Sequence, residues 1–82
     1  MSFYIGLDVH AKTTTAVVVD QSGEQKLRKT FETTESQLIQ FISQVPGKKH
    51  LTFEEGTLSQ WLYLTLVEQV DELWTYPEKM DT

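Results

Sequence analysis

The 82-residue sequence contains no cysteine, which excludes a disulfide framework and any metal site built on thiolates. It also lacks an apolar run near the ~20 residues that a membrane span needs. Its N-terminus has no basic region followed by an apolar core, so a secretion signal is not expected. We therefore expect a cytoplasmic protein without a membrane partner.

Basic residues are few. Seven Lys and Arg stand against twelve Asp and Glu, and the net charge is −5. This balance argues against a general nucleic-acid-binding surface, because such surfaces use clustered cations to displace counterions from phosphates. It leaves open a site of the nuclease type, in which carboxylates hold a metal ion and the ion meets the phosphate.

The size and composition predict one small folded domain. Hydrophobic residues make up 39% of the chain and charged residues 23%, as in ordinary globular proteins. A chain of this length buries only about 60% of its unfolded surface, so it is marginally stable alone. We expect residues 1–77 to form the domain and residues 78–82 to be a frayed end or linker.

Alternating and helical hydrophobic patterns predict five strands and two helices. Strands are expected over residues 3–10, 13–19, 25–32, 48–55 and 72–76. One helix begins after Thr34, with Gln37 completing a capping box, and ends before Pro46. The second covers residues 58–68, with Thr57 as its N-cap and Gln60 as the box partner. The first strand has apolar residues on both faces, so we expect both faces to be covered.

The connections predict the topology of an α/β sheet. Short links join the first three strands, which makes them antiparallel neighbours, whereas each helical crossover returns the chain for a parallel strand. The simplest arrangement is a mixed five-stranded sheet in the order 3-2-1-4-5, with helices after strands 3 and 4. Because adjacent parallel strands end at the same edge, this order places Asp8 near Glu54.

Two ionised acids at the ends of buried strands repel each other, so one must take a proton or a cation must lie between them. Mg²⁺ or Mn²⁺ suits oxygen ligands of this kind. Glu54 and Glu55 point to opposite faces, so only one can join Asp8, and the pattern does not decide which. An equally weighted alternative has Asp8 capping the turn at residues 10–12 and a glutamate binding amides at the start of the second helix. His10 is a candidate ligand or phosphate donor, but a histidine in a turn is more often solvated, and we interpret it as a solvated turn residue.

The second predicted helix, residues 58–68, is apolar on nearly all sides. A lone surface helix shows a single apolar stripe, so this helix predicts a further partner, either missing sequence or a second copy in a homodimer. Trp61 and Trp74 stand at apolar positions and are interpreted as core residues.

Residues 4–12, YIGLDVHAK, followed by TTAVVVD at 14–20, resemble the start of the DEDD transposases of bacterial insertion sequences, which are relatives of the Piv-type DNA invertases. The resemblance continues in LTFEEGT at residues 51–57 and LWTYP at 73–77. It implies a ribonuclease H-like, RuvC-like fold for this region. The chain departs from the family pattern at Glu55, Gly56 and Thr57, and at Tyr76, where the family commonly has Asn.

The resemblance makes Asp8 and Glu54 the first two acids of a metal-binding tetrad, with Glu55 as the alternative to Glu54. The other two acids and a C-terminal domain would lie beyond Thr82. The implied function is DNA cleavage and strand transfer in transposition, with DNA bound through the full-length protein and a guide RNA in some members. With half a tetrad, the 82 residues are predicted to bind Mg²⁺ or Mn²⁺ weakly or not at all and to be inactive alone.

Two other classes are consistent with the sequence. The first strand, its Asp8 and the Thr-rich hairpin also resemble the first phosphate motif of actin-like sugar kinases and ATPases, although Val9 stands where those proteins usually have glycine. A non-catalytic dimerising remnant is the third interpretation, based on the two-sided second helix.

Overall fold

Runs of β-branched and apolar residues form the strands, and segments with apolar residues at helical spacing form the helices. The computed structural model describes residues 1–77. Its elements in chain order are β1 (Ser2–Val9), β2 (Thr13–Asp20), β3 (Gln25–Glu32), α1 (Glu35–Ser43), β4 (Lys48–Glu54), α2 (Ser59–Leu66) and β5 (Glu72–Tyr76). The predicted number, type and order of elements are confirmed.

The five strands form one mixed sheet in the order β3-β2-β1-β4-β5, as predicted. The pairs β1–β2 and β2–β3 are antiparallel, whereas β1–β4 and β4–β5 are parallel. β1 is the central strand, and Leu7 lies between Ala16 of β2 and Phe53 of β4.

Both helices cover the same face of the sheet. The core contains Ile5 and Leu7 of β1 with helix residues from both α1 and α2, including Leu38, Phe41, Ile42, Leu62 and Leu66. The crossovers from β3 to β4 and from β4 to β5 advance across the sheet in the same direction. Crossovers of one hand that advance in one direction place their helices on one side.

The opposite face, which we call the open face, is not covered by either helix. Tyr4 is 42% exposed there and Asp8 is also exposed. The prediction that both faces of the first strand are covered is therefore wrong. By the alternation of strand residues, the open face presents Tyr4, Gly6 and Asp8 of β1, Thr15, Val17 and Val19 of β2, Arg28 and Thr30 of β3, His50, Thr52 and Glu54 of β4, and Glu72, Trp74 and Tyr76 of β5.

The two helix starts differ. Thr34 is the N-cap of α1 and accepts a hydrogen bond from the Gln37 amide at 3.2 Å. The Thr34 amide donates to the Glu32 carbonyl instead of the Gln37 side chain, so only half of the predicted box forms. The prediction that Thr57 is the N-cap of α2 is wrong.

Leu58 is the N-cap of α2 and makes no side-chain capping bond. The Ser59 amide and hydroxyl both donate to the Gly56 carbonyl, at 3.1 and 2.9 Å, which begins the helix one residue later than predicted. The helix also ends earlier, at Leu66, and continues as a 3₁₀ turn over Val67–Gln69.

No helix within residues 1–77 is both long enough and apolar enough to cross a membrane. The predicted frayed end or linker, residues 78–82, lies outside the described residues.

Candidate functional site

The parallel register of β1 and β4 brings Asp8 and Glu54 together. Gly6 pairs with Thr52 and Leu7 with Phe53, so the next position is Asp8 on one strand and Glu54 on the other. Both lie on the open face, and both are exposed. Neighbouring parallel strands run about 4.8 Å apart, so the two residues lie on adjacent strands at the same end of the sheet.

A cleft of about 440 Å³ opens at this end. Its lining includes Asp8, His10, Glu54, Glu55, Ser59 and Tyr76. Its volume falls within the range of ligand-binding clefts, ~300–1,000 Å³. The cleft lies at the carboxyl ends of parallel strands, where open α/β sheets bind ligands.

Asp8 is in water rather than in the protein interior. Its side chain is 75% exposed, and its Oδ1 lies 3.2 Å from Nε2 of His10, which is 68% exposed. Water screens the repulsion between exposed carboxylates. Burial therefore does not force a cation between the two acids, and a shared ion is supported by their positions on neighbouring strands alone.

The alternative interpretation of these acids as backbone caps does not hold in the described part of the chain. No hydrogen bond within residues 1–77 joins Asp8, Glu54 or Glu55 to a backbone amide of a turn or of α2. The acid that caps a turn is Asp20, whose Oδ1 accepts from the amides of Ser22 and Glu24 at 2.9 and 3.0 Å. The Ser22 hydroxyl, at 2.6 Å, is the largest cause of the lowered pKa of Asp20, assisted by these amides and by Lys26.

The structure separates the two glutamates that the sequence left as alternatives. Oε1 of Glu55 accepts a hydrogen bond from the Thr75 hydroxyl at 3.1 Å. Glu54 lies two residues after Thr52 in β4, so it shares the open face with Thr52, at the strand end next to Asp8. Glu54 is therefore the neighbour of Asp8.

The donor set limits which metal site is chemically reasonable. Within residues 1–77, no group of three or more His, Cys, Asp or Glu side chains is placed to hold a metal ion. Asp8 and Glu54 supply two carboxylates, and Mg²⁺ is commonly held by one or two carboxylates while keeping several waters. These residues fit one hydrated ion, but they are too few for the two-ion arrangement of phosphodiester cleavage.

A second polar group on the open face was not identified from the sequence. The rings of Tyr4 and His50 stack with centroids 4.7 Å apart. Nδ1 of His50 lies 2.7 Å from Oε1 of Glu72. The Trp74 side chain, and secondarily His50, hold the pKa of Glu72 below its ordinary value. We call Tyr4, His50, Glu72 and Trp74 the aromatic cluster.

Trp74 is 59% exposed, so its interpretation as a core residue is wrong, whereas Trp61 does pack against the core. The signal that could have placed Trp74 is its position in β5. It shares a strand face with Glu72 and Tyr76, whereas Leu73 takes the face that packs against the core.

The sequence matches no protein-family model, and no curated protein is significantly similar to it. The resemblance to the DEDD transposases therefore stands on the residues quoted above. Beyond this resemblance, the functional proposal depends on the geometry of the open face.

Proposed function

We propose that this chain is the N-terminal part of the catalytic domain of a DEDD-type transposase or site-specific DNA recombinase, with a ribonuclease H-like fold. The observation that carries the proposal is that Asp8 and Glu54 directly follow the last register pair of two neighbouring parallel strands, Leu7 and Phe53, and line the same cleft. The strand order β3-β2-β1-β4-β5 agrees with the fold that the resemblance implies.

In this proposal, Asp8 and Glu54 hold one Mg²⁺ or Mn²⁺ ion through their carboxylate oxygens. Such an ion, when bound, polarises a phosphoryl oxygen and lowers the pKa of a bound water. The two carboxylates would hold the ion at an exposed strand end, where a phosphodiester would have access to it. His10, beside Asp8, is within the same cleft and can donate a hydrogen bond to a phosphate oxygen.

The remaining acids of the tetrad, the contacts with target DNA and any guide RNA belong to the full-length protein in this proposal. The net charge of −5 supports this division, because the chain offers few cations for the phosphate backbone. Catalysis by the 82 residues alone is not expected.

Calorimetric titration with Mn²⁺ tests the metal assignment. We expect weak binding by the chain, a loss of at least tenfold in affinity on Asp8→Asn or Glu54→Gln, and little change on Glu55→Gln. The Glu55 variant is the matched control, because it removes an adjacent charge of the same sign. Equal binding by all four proteins would contradict the assignment of Asp8 and Glu54.

A nicking assay on supercoiled DNA tests the claim that the tetrad is incomplete. With Mg²⁺ or Mn²⁺, the 82 residues should leave the DNA intact. Robust cleavage that disappears on Asp8→Ala would show that the two acids suffice, and the proposed division of the site would be wrong.

One observation favours a second candidate, the non-catalytic dimerising element. On α2, Leu64 is 68% exposed and Tyr63 is 47% exposed, as expected for a helix with a further partner. Dimerisation through residues 58–68 stays a prediction. A chain that sediments as a monomer at high concentration would count against it, as would a dimer that Leu64→Ser leaves intact.

A further inference from the structure

The two edges of the sheet are protected to different degrees. The β3 edge carries Lys26, Arg28 and Lys29, and its pairing with β2 shifts register between Val18 and Val19. Charged side chains and bulges of this kind prevent strand edges from pairing with other chains. The β5 edge, Glu72–Tyr76, has neither Lys nor Arg, and its register with β4 is continuous over all five residues.

The backbone of β5 also has hydrogen-bonding groups directed away from the sheet. The Glu55 amide donates to the Tyr76 carbonyl at 2.8 Å, and Tyr76 is the register partner of Glu54. A parallel ladder repeats every two residues, so Glu72, Trp74 and Tyr76 direct their backbone groups towards β4. Leu73 and Thr75 direct theirs outwards from β5, the edge strand of the sheet within residues 1–77.

We propose that β5 pairs antiparallel with β5 of a second copy of this chain, so that the two five-stranded sheets join into one. A two-fold axis at Trp74 makes the pairing self-complementary. Leu73 of each chain then exchanges both backbone hydrogen bonds with the partner's Thr75, which uses the groups that β4 leaves free.

The side chains along β5 suit this symmetric register. Trp74 lies opposite the partner's Trp74 at a non-hydrogen-bonded position, where side chains are closest, and both indoles are on the exposed open face. Aromatic cross-strand pairs stabilise antiparallel strands. Glu72 lies opposite the partner's Tyr76, so no like charges oppose each other within the strand.

The same comparison excludes the competing arrangement in which β5 pairs with β3 of another copy. Such head-to-tail pairing gives a ring where the rotation closes and an open filament where it does not, rather than a closed dimer. The three cations and the register shift of β3 oppose it. A closed dimer through β5 is therefore the expected assembly, and this inference does not depend on the metal proposal.

Sedimentation equilibrium over a range of concentrations tests the pairing. We expect the mass to rise from 9.5 kDa towards twice that value. Thr75→Pro removes an outward amide, which edge strands tolerate, and should keep the protein monomeric. Thr75→Val is the matched control, because it also loses the bond to Glu55 but keeps the amide, and it should still dimerise.

Two further measurements prevent ambiguous outcomes. Hydrogen exchange should show Leu73 and Thr75 amides of the unmodified chain becoming protected as concentration rises, whether or not the proline variant folds. Leu64→Ser on α2 should leave dimerisation unchanged. A monomer at all concentrations, unprotected Leu73 and Thr75 amides, or a dimer lost on Leu64→Ser but kept on Thr75→Pro would overturn the proposal.

Discussion

Two glycines show how differently a single residue type is constrained. Gly47 has φ +70°, and an added Cβ would lie 2.5 Å from the Met1 carbonyl oxygen. The Lys48 amide donates to the same oxygen at 2.9 Å, so this backbone has little freedom to move. A Cβ added at Gly6, on the open face, would meet no atom within 4 Å.

Gly47→Ala should therefore lower the free energy of unfolding by more than about 1 kcal/mol, because both the positive φ and the contact with Met1 oppose a side chain. Gly6→Ala should change it by less than about 0.5 kcal/mol. Urea unfolding of the two variants measures the difference. Equal losses would contradict the geometry around Gly47.

Asp20 gives the chain an acid-sensitive contribution to stability. Its folded pKa lies below the ordinary 3.8, chiefly because of the Ser22 hydroxyl. Folding therefore favours the charged form, and this contribution is present above the ordinary pKa and is lost as the pH falls through the folded pKa. Glu72 contributes in the same direction.

Melting temperatures measured from neutral pH down to about pH 2 should fall at the acid end. Asp20→Asn keeps the Oδ1 acceptor but cannot titrate, so its melting temperature should fall less steeply over the same range. A variant with the same acid dependence as the unmodified chain would show that Asp20 is not a source of it.

Two threonines were predicted as helix N-caps, and the structure confirms Thr34 but not Thr57. Thr34→Ala should cost about 1 kcal/mol, because the Gln37 amide loses its acceptor at the start of α1. Thr57→Ala should cost less than about 0.5 kcal/mol, because the N-cap of α2 is Leu58 and no side chain caps this helix. Chemical denaturation measures both, and a larger loss at Thr57 would restore the cap that the sequence predicted.

The strands and helices could be predicted from the sequence because the hydrophobic pattern of each one is local. The β-branched run of β2 and the helical spacing of Leu38, Phe41 and Ile42 in α1 define element type without reference to the rest of the chain. The start of α2 was not predictable in the same way. Thr57 and Gln60 fit a capping box, but the backbone turn at Gly56 and Ser59 determines where the helix begins.

For the strands, the main error was the prediction that both faces of β1 are covered. The positions of Tyr4 and Gly6 predict a second covered face of β1. No local sequence pattern distinguishes a strand that is covered on both faces from a strand with one face open. The direction of the two crossovers decides the matter, and it leaves Tyr4 and Trp74 exposed.

For the whole molecule, stability depends on a single layer of contacts between the sheet and two helices. Proteins are stable by only about 0.05–0.15 kcal/mol per residue, so a small domain has little margin. Leu51, in β4, is 0% exposed, whereas Leu64 is 68% exposed.

Leu51→Ala should lower the free energy of unfolding by about 2–5 kcal/mol because it leaves a cavity in the core. Leu64→Ala, the same substitution at the surface, should stay within about 0.5 kcal/mol. Urea unfolding compares the two variants directly. Comparable losses would mean that α2 does not lie on the sheet as described.

Some features of the candidate site could be predicted from the sequence, and others could not. The adjacency of Asp8 and Glu54 was predictable because strand order and parallel register determine which strand ends meet. Their exposure was not, and neither was the choice of Glu54 over Glu55, which depends on the bond from Thr75. The aromatic cluster joins three strands and has no continuous motif.

The most direct test of the central claim is an anomalous difference map from crystals of the protein grown with Mn²⁺. We expect one peak between the carboxylates of Asp8 and Glu54, absent from crystals of Asp8→Asn. A map with its peak at Glu55 or Asp20 would contradict the assignment, as would a map with no peak there from crystals grown at a Mn²⁺ concentration high enough to fill a weak site.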